Sequence, residues 1–207
     1  MFIERIKEYY QTDEPIFTSD LLAIFKEYSR AYVFRMIKKA EKDGKLVKFD
    51  KGVYYIPHKT FFGISTISAD MVARRKYIEY GDDVFGIYSG IKLLNMFSVI
   101  TLVPNTIELV TNNESTRCRK VIIDGMTYIL RKSRVKITKE NMKTYLILQL
   151  FTDMYLDEKL DVYAKNKIIK FMKNNGVTKK KLFDLAPKFP LRGIKNLFKS
   201  GVLDDVA

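Results

Sequence analysis

Residues 29–55 read SRAYVFRMIKKAEKDGKLVKFDKGVYY, and this stretch decides how the first part of the chain is read. Ser29 is a residue type that caps helices, its hydroxyl accepting from backbone N–H groups that have no partner within the helix. Gly44 supplies the left-handed residue on which helices commonly end. At 100° per residue, Val33, Met36, Ile37 and Ala40 fall on one side between them, and Ala31, Arg35, Lys38 and Lys39 fall opposite, with Tyr32 on the flank. The spacing predicts a helix over 29–43 with an apolar inner face and a cationic outer one. Two β-prone runs come directly after it, 46–49 and 53–56, joined by Asp50-Lys51-Gly52, where glycine meets a hairpin turn's need for positive φ.

Working outward, Phe2, Ile3, Ile6, Tyr9 and Tyr10 recur at helical spacing and predict a first amphipathic helix. Pro15 ends the turn after it. Thr18 or Ser19 then caps a short second helix with Leu21, Leu22 and Phe25 as its stripe. Three short helices followed directly by a hairpin is the order of a winged helix-turn-helix, so residues 1–58 are expected to form a DNA-binding domain. In such a module the N-terminal half of the third helix reads base edges in the major groove. This points to Ser29, Arg30, Ala31, Tyr32 and Arg35 as groove residues, Arg35 being able to bond guanine with two parallel N–H groups. Lys38 and Lys39, with Lys48 and Lys51 on the wing, are expected to contact phosphates.

Composition agrees with a polyanionic partner. The 207 residues carry 37 Lys+Arg against 24 Asp+Glu, a net charge of +13. The local surplus matters more, since phosphate neutralisation is a contact-level effect. Between Lys26 and Lys51 stand 9 basic and 4 acidic residues. One Cys and one His exclude an internal disulfide and a four-ligand zinc site, and leave little material for a Ser-His-Asp machine. The first ten residues carry Glu4, Arg5, Lys7 and Glu8 and do not read as a signal peptide. The most apolar stretch, 93–103, is broken by Asn95, Ser98 and Thr101 and is short of the roughly 20 residues of a membrane span. A cytoplasmic protein without a membrane partner is expected.

Residues 59–136 read as mixed α/β. Phe61-Phe62-Gly63 is expected to fold back on the next unit of the chain, and Ser68 to cap a helix over 69–80 with Arg74, Arg75 and Lys76 exposed. Tyr88-Ser89-Gly90 is expected to open a helix through Met96. Strand-like runs come at 106–111, 120–123 and 127–130, the last two joined by Asp124-Gly125. Residues 137–207 read as helical: Thr138 capping a long, widely apolar helix over 138–155, Asp161 and Thr178 capping two more, and a last helix over 191–200 after Pro187 and Pro190. The fold class expected is α+β: the winged module, then a domain 59–207 made of a mixed part and a helical part.

No catalytic, metal or cofactor site emerges. Asp82-Asp83 sits beside Gly81 in a turn, where acidic residues are ordinarily solvated. A restriction-type nuclease strand would carry an acid where Tyr128-Ile129-Leu130-Arg131 has Leu130. Gly81, Gly86 and Gly90 lack the Gly-Lys-Ser/Thr ending of a phosphate loop. His58 beside Pro57 reads as a loop residue rather than a base, Cys118 between cations has no partner base in sight, and Lys179, Lys180 and Lys181 read as a solvated first turn.

The order of several short motifs resembles the AbiEi-type antitoxins of bacterial abortive-infection (type IV) toxin–antitoxin systems. These are Gly44-Lys45-Leu46, Gly52-Val53-Tyr54-Tyr55 with Pro57, Phe62-Gly63, Tyr88-Ser89-Gly90, Leu94-Asn95, Val103-Pro104-Asn105, Val110-Thr111-Asn112 and Leu130-Arg131-Lys132, covering most of residues 1–155. Leu185-Ala186 and Phe189-Pro190 match the tail more loosely. Met36-Ile37-Lys38-Lys39 departs from the family's leucine-rich, arginine-containing helix before the wing. The resemblance implies a non-enzymatic protein that binds inverted repeats in double-stranded operator DNA and represses its own operon. It also implies neutralisation of a cognate nucleotidyltransferase-like toxin, with or without a stable complex. The alternative from the residues alone is a stand-alone winged-helix regulator whose larger part senses a ligand or dimerises. A toxin gene next door separates the two.

Overall fold

The structure, a computed structural model, describes residues 2–155 and 160–205. It is of mixed α+β class and divides into two compact units, Met1–Arg75 and Lys76–Ala207. In the first unit the order is α1 (Phe2–Lys7), β1 (Ile16–Phe17), α2 (Thr18–Ile24), α3 (Arg30–Lys42), β2 (Val47–Asp50) and β3 (Val53–Tyr55). A two-stranded hairpin of β4 (Lys59–Thr60) and β5 (Gly63–Ile64) comes next, and then α4 (Ala69–Tyr77), which spans the division between the units.

Helices as short as α1 and α2 do not stand alone in water. They persist because Ile3, Ile6, Leu21 and Phe25 join Val33, Ile37, Ala40, Leu46 and Tyr54 in one buried cluster. Strand β1, absent from the sequence reading, pairs antiparallel with β3 (Ile16↔Tyr54, Phe17↔Val53) and makes a three-stranded sheet in the order β1-β3-β2. Two residues are too few to show a period-2 pattern. The expected hydroxyl cap of α2 is also corrected. The Asp20 carboxylate accepts from Phe17 N–H (3.0 Å), and Thr18 is used elsewhere, both its N–H (2.9 Å) and its hydroxyl (3.2 Å) donating to Gly52 O at the β2–β3 turn.

Phe61 and Phe62 are 96% and 97% exposed at the tip of the β4–β5 hairpin. One expectation for 59–80 fails. Arg75 is buried, not solvated. Its guanidinium donates to the Tyr10 hydroxyl (3.0 Å), the Glu14 (3.2 Å) and Asp20 (3.1 Å) carboxylates and the Pro15 carbonyl, and lies over the Tyr10 and Phe17 rings. Hence the first unit continues to Arg75, beyond the boundary read at residue 58. A charged side chain buries when enough acceptors converge on it, and local sequence does not disclose that convergence.

The second unit opens with a small hairpin, β6 (Glu79–Tyr80) and β7 (Asp83–Val84), whose turn holds Gly81. It continues with β8 (Gly86–Ser89), α5 (Gly90–Met96), β9 (Thr106–Thr111), β10 (Cys118–Ile123) and β11 (Met126–Lys132). Tyr88 and Ser89, expected to open a helix, belong to β8, and α5 begins at Gly90. The sheet order is β10-β11-β9-β8. The Asp124-Gly125 hairpin returns β11 into the gap between β10 and β9, where it runs parallel to β9 in the register Thr127↔Thr106. Helix α6 (Met142–Asp153) comes next, then α7 (Val162–Asn174), α8 (Lys179–Leu185) and α9 (Leu191–Lys199).

Helix α6 is the hub. Every residue from Thr144 to Phe151 is buried, and the helix packs on β8, α5, α7, α8 and α9. Sheet residues Ile87 and Val110 and helical residues Leu150, Ile168 and Leu197 thus share one core. Thr138 does not cap α6. The helix starts four residues later, and the Thr138 N–H donates to Asn141 Oδ1 (2.9 Å). The Asp161 and Thr178 caps are formed as expected, on α7 and α8. No helix among the described residues is long and apolar enough to cross a membrane.

Candidate nucleic-acid interface

The third helix is built as its sequence dictates. Ser29 Oγ accepts from Tyr32 N–H at 3.3 Å, and Gly44 stands after the Asp43 C-cap at φ +66°. Val33, Ile37 and Ala40 are buried, with Met36 and Phe34 packed partly against the same core. The opposite face is open: Ser29, Arg30, Ala31, Tyr32, Arg35, Lys38 and Lys39 are all exposed. The apolar stripe therefore fixes the rotation of α3 about its axis, and that rotation turns the cations outward.

Arg35 does not hang free. Its guanidinium carbon lies 4.8 Å from the Tyr32 ring centroid, and Tyr32 stacks in turn on Tyr28 (centroids 5.0 Å apart). Tyr28 leans on Phe25 (6.5 Å), which stacks on Phe2 (4.7 Å). An aromatic ladder runs from the core of the unit to the outer face of α3 and ends under an arginine. Such stacking limits the rotamers open to the guanidinium while leaving its N–H fork uncovered. The sequence reading did not include Tyr28 or the ladder, although Tyr28, Tyr32 and Arg35 at i, i+4 and i+7 were a visible signal.

Arg5, near this ladder, carries no free charge. It lies over Phe25 and is bonded to Glu27. The hydrogen bond from Arg5 holds the Glu27 carboxyl below its ordinary value, and the same bond raises Arg5. On α3 itself, Arg30 lies 5.6 Å from the Phe34 ring centroid.

Strands β2 and β3 make the hairpin directly after α3, with a register shift between Lys48 and Asp50. Gly52 takes φ +74°, and the Asp50 side chain accepts from Lys51 N–H at 2.6 Å, closing the turn. Lys48 and Lys51 are exposed. The two bonds from Thr18 to Gly52 O anchor the tip to the start of α2, so the hairpin is held rather than left as a loose arm.

Nearby polar groups do not assemble into a catalytic relay. His58 Nδ1 lies 2.7 Å from Asp13 Oδ2, and Ser65 Oγ donates to Asp13 Oδ1 at 2.5 Å. The serine hydroxyl is therefore spent on the carboxylate, whereas a nucleophile needs it aimed at the imidazole. Among the described residues no three or more His, Cys, Asp or Glu side chains gather as a metal site. Asp82 is solvent-exposed and bound to Lys139 at 2.8 Å. Cys118 is exposed on β10. Of the lysine triplet, Lys181 turns back to donate to Gly176 O (2.8 Å).

No protein-family model matches the chain, and a search of curated protein sequences finds no match either.

Proposed function

We propose that the chain is an autorepressing antitoxin. On this reading residues 1–75 form a winged helix-turn-helix that places α3 in the major groove of operator DNA, and the second unit counteracts a nucleotidyltransferase-like toxin. One observation carries the DNA half: a cationic helix face, wholly exposed and backed by a buried apolar stripe, with Arg35 stacked on Tyr32 and a lysine-bearing hairpin next in the chain. Arg35 would read a base, and Lys38, Lys39, Lys48 and Lys51 would neutralise phosphates. The antitoxin half rests on the resemblance in motif order from Gly44 to Lys132.

The experiment is a binding titration of the full chain on its own upstream duplex and on a scrambled duplex across a salt series. A specificity ratio of about 10³ or more with a steep salt slope is the result expected of a sequence-reading repressor. Equal, weak binding to both duplexes would sink the DNA half. Co-expression with the product of an adjacent toxin gene tests the other half, a failure to rescue growth counting against it.

A further inference from the structure

The second unit holds an open cleft of about 730 Å³, within the range of roughly 300–1,000 Å³ typical of small-molecule sites. Its lining is mixed, with Ile91, Leu94 and Ile100 apolar and Glu108, Arg131, Gln149 and Asp153 polar. Asp153 closes α6. The Asp153 carboxylate accepts from Gly90 N–H (2.7 Å) and from Gln149 Nε2 (2.8 Å). Gly90 has φ +60°, and a Cβ there would stand 2.8 Å from Glu108 Oε1, so the second carboxylate is packed against the same glycine. Arg131 pairs with Glu108 at 2.9 Å and neutralises it.

Asp153 stands at the C-terminal end of α6, where the dipole disfavours negative charge, and its carboxylate meets the first N–H of α5, where the dipole favours it. Burial pushes its carboxyl above the ordinary value against the opposing Gly90 and Gln149 bonds, while the Glu108 charge adds to the push and the Arg131 charge opposes it. Polar groups held unfavourably in a cleft mark candidate binding sites.

The rim carries the complementary charge. Arg134 is exposed and has no ion pair among the described residues, its guanidinium resting 5.8 Å from the Phe189 ring centroid. Arg192 is fixed by donating to the Thr152 (3.0 Å) and Met154 (3.2 Å) carbonyls and lies 4.1 Å over the Tyr155 ring. Tyr155 is 83% exposed, so among the described residues its ring has room for a planar group.

We propose that this cleft binds a nucleoside monophosphate whose base carries an exocyclic amino group. The amino group donates to Asp153, the base lies along the apolar side chains and the Tyr155 ring, and the phosphate meets Arg134. The pattern asks for a planar body, a donor at one end and an anion at the other, which neither a bare phosphate nor a fatty acid supplies. The inference stands independently of the DNA reading, since every residue it uses lies in the second unit.

Isothermal titration of the full chain with AMP, CMP, GMP and UMP, with adenosine and with inorganic phosphate tests it. At least one amino-bearing nucleotide should bind below millimolar concentration. UMP, adenosine and phosphate should each bind at least about tenfold more weakly, a difference of roughly 1.4 kcal/mol. Arg134→Ala should remove the advantage of nucleotide over nucleoside. Asp153→Asn, which keeps shape and can still accept from Gly90, should erase the preference over UMP, and thermal melting checks that both variants fold. The proposal is overturned if no nucleotide binds at several millimolar, or if phosphate or adenosine binds as well as the nucleotide. It is equally overturned if both folded variants bind like the parent.

Discussion

Arg35 and Tyr32 form a cation–π pair on the open face of α3, with 4.8 Å between the guanidinium carbon and the ring centroid. Because Tyr32 is itself stacked on Tyr28, the arginine is oriented before any partner arrives. Pre-organisation of this kind cuts the side-chain ordering cost of binding. It also separates Arg35 from Lys38 and Lys39, which have no such support.

That difference sets the first prediction. Arg35→Ala should cost about 1–3 kcal/mol on the operator and relax specificity at one base position. Lys38→Ala should weaken all duplexes alike and lower the salt slope by about one. Tyr32→Leu should reproduce part of the Arg35 loss without changing net charge. Titrations on operator and random duplexes check all three, and equal losses on both for Arg35→Ala would remove its base-reading role.

Arg75 should be a stability hot spot despite lying in a stretch that reads as a basic surface. Its removal leaves Glu14 and Asp20 facing each other without their cation, and breaking a buried pair from one side typically costs about 3–5 kcal/mol. The Glu14 and Asp20 side chains are 32% and 24% exposed, which moves the expected loss toward the lower end. Urea unfolding of Arg75→Met against the parent measures it.

Glu114 predicts a pH dependence. Burial alone would push its carboxyl up, but bonds from the Thr116 N–H, Arg119 and the Thr116 hydroxyl outweigh burial and hold it at about 2, against an ordinary value of 4.5. A carboxyl depressed by folding contributes stability that is fully present above the unfolded value and is lost as pH falls through the folded one. The window is therefore from about 4.5 down to about 2. Glu114→Gln should be less stable than the parent near neutral pH, and the gap should narrow steadily as the buffer is taken from about pH 5 to about pH 3. A constant gap would show that the Glu114 charge does not matter.

Gly86 tests backbone packing in β8. A Cβ at this position would lie 1.9 Å from the Tyr77 carbonyl oxygen and 2.9 Å from that of Val110. Both obstacles are main chain, so neither swings aside as a flexible side chain would. Gly86→Ala should destabilise at the upper end of the usual overpacking cost of about 1–3 kcal/mol. Gly125→Ala, at a turn with open space around it, should lose only the smaller penalty of its positive φ. Thermal unfolding of the two variants side by side distinguishes the effects.

Local patterns carried much of the architecture. The Ser29 cap, the inner stripe of Val33, Ile37 and Ala40, the Asp124-Gly125 turn and the caps at Asp161 and Thr178 involve residues within a few positions of one another. Their energetics are local enough to read in order. Strand β1 escaped because two residues make no period, and β8 because Tyr88-Ser89-Gly90 combines a strand end with a helix start. The cleft escaped entirely. Glu108, Arg131, Asp153 and Arg192 lie on four separate elements, and no spacing rule links them.

By itself, then, the sequence determined the Ser29, Asp161 and Thr178 caps and the outward turn of Arg35, Lys38 and Lys39, since an amphipathic helix can bury only its apolar stripe. Only the tertiary structure decided that Arg75 is buried, that Phe61 and Phe62 are not, and that Asp153 meets Gly90 in a cleft. Whether a charge or a ring is buried depends on which acceptors and walls distant segments bring to it, and that is a property of the closed fold rather than of neighbours in the chain.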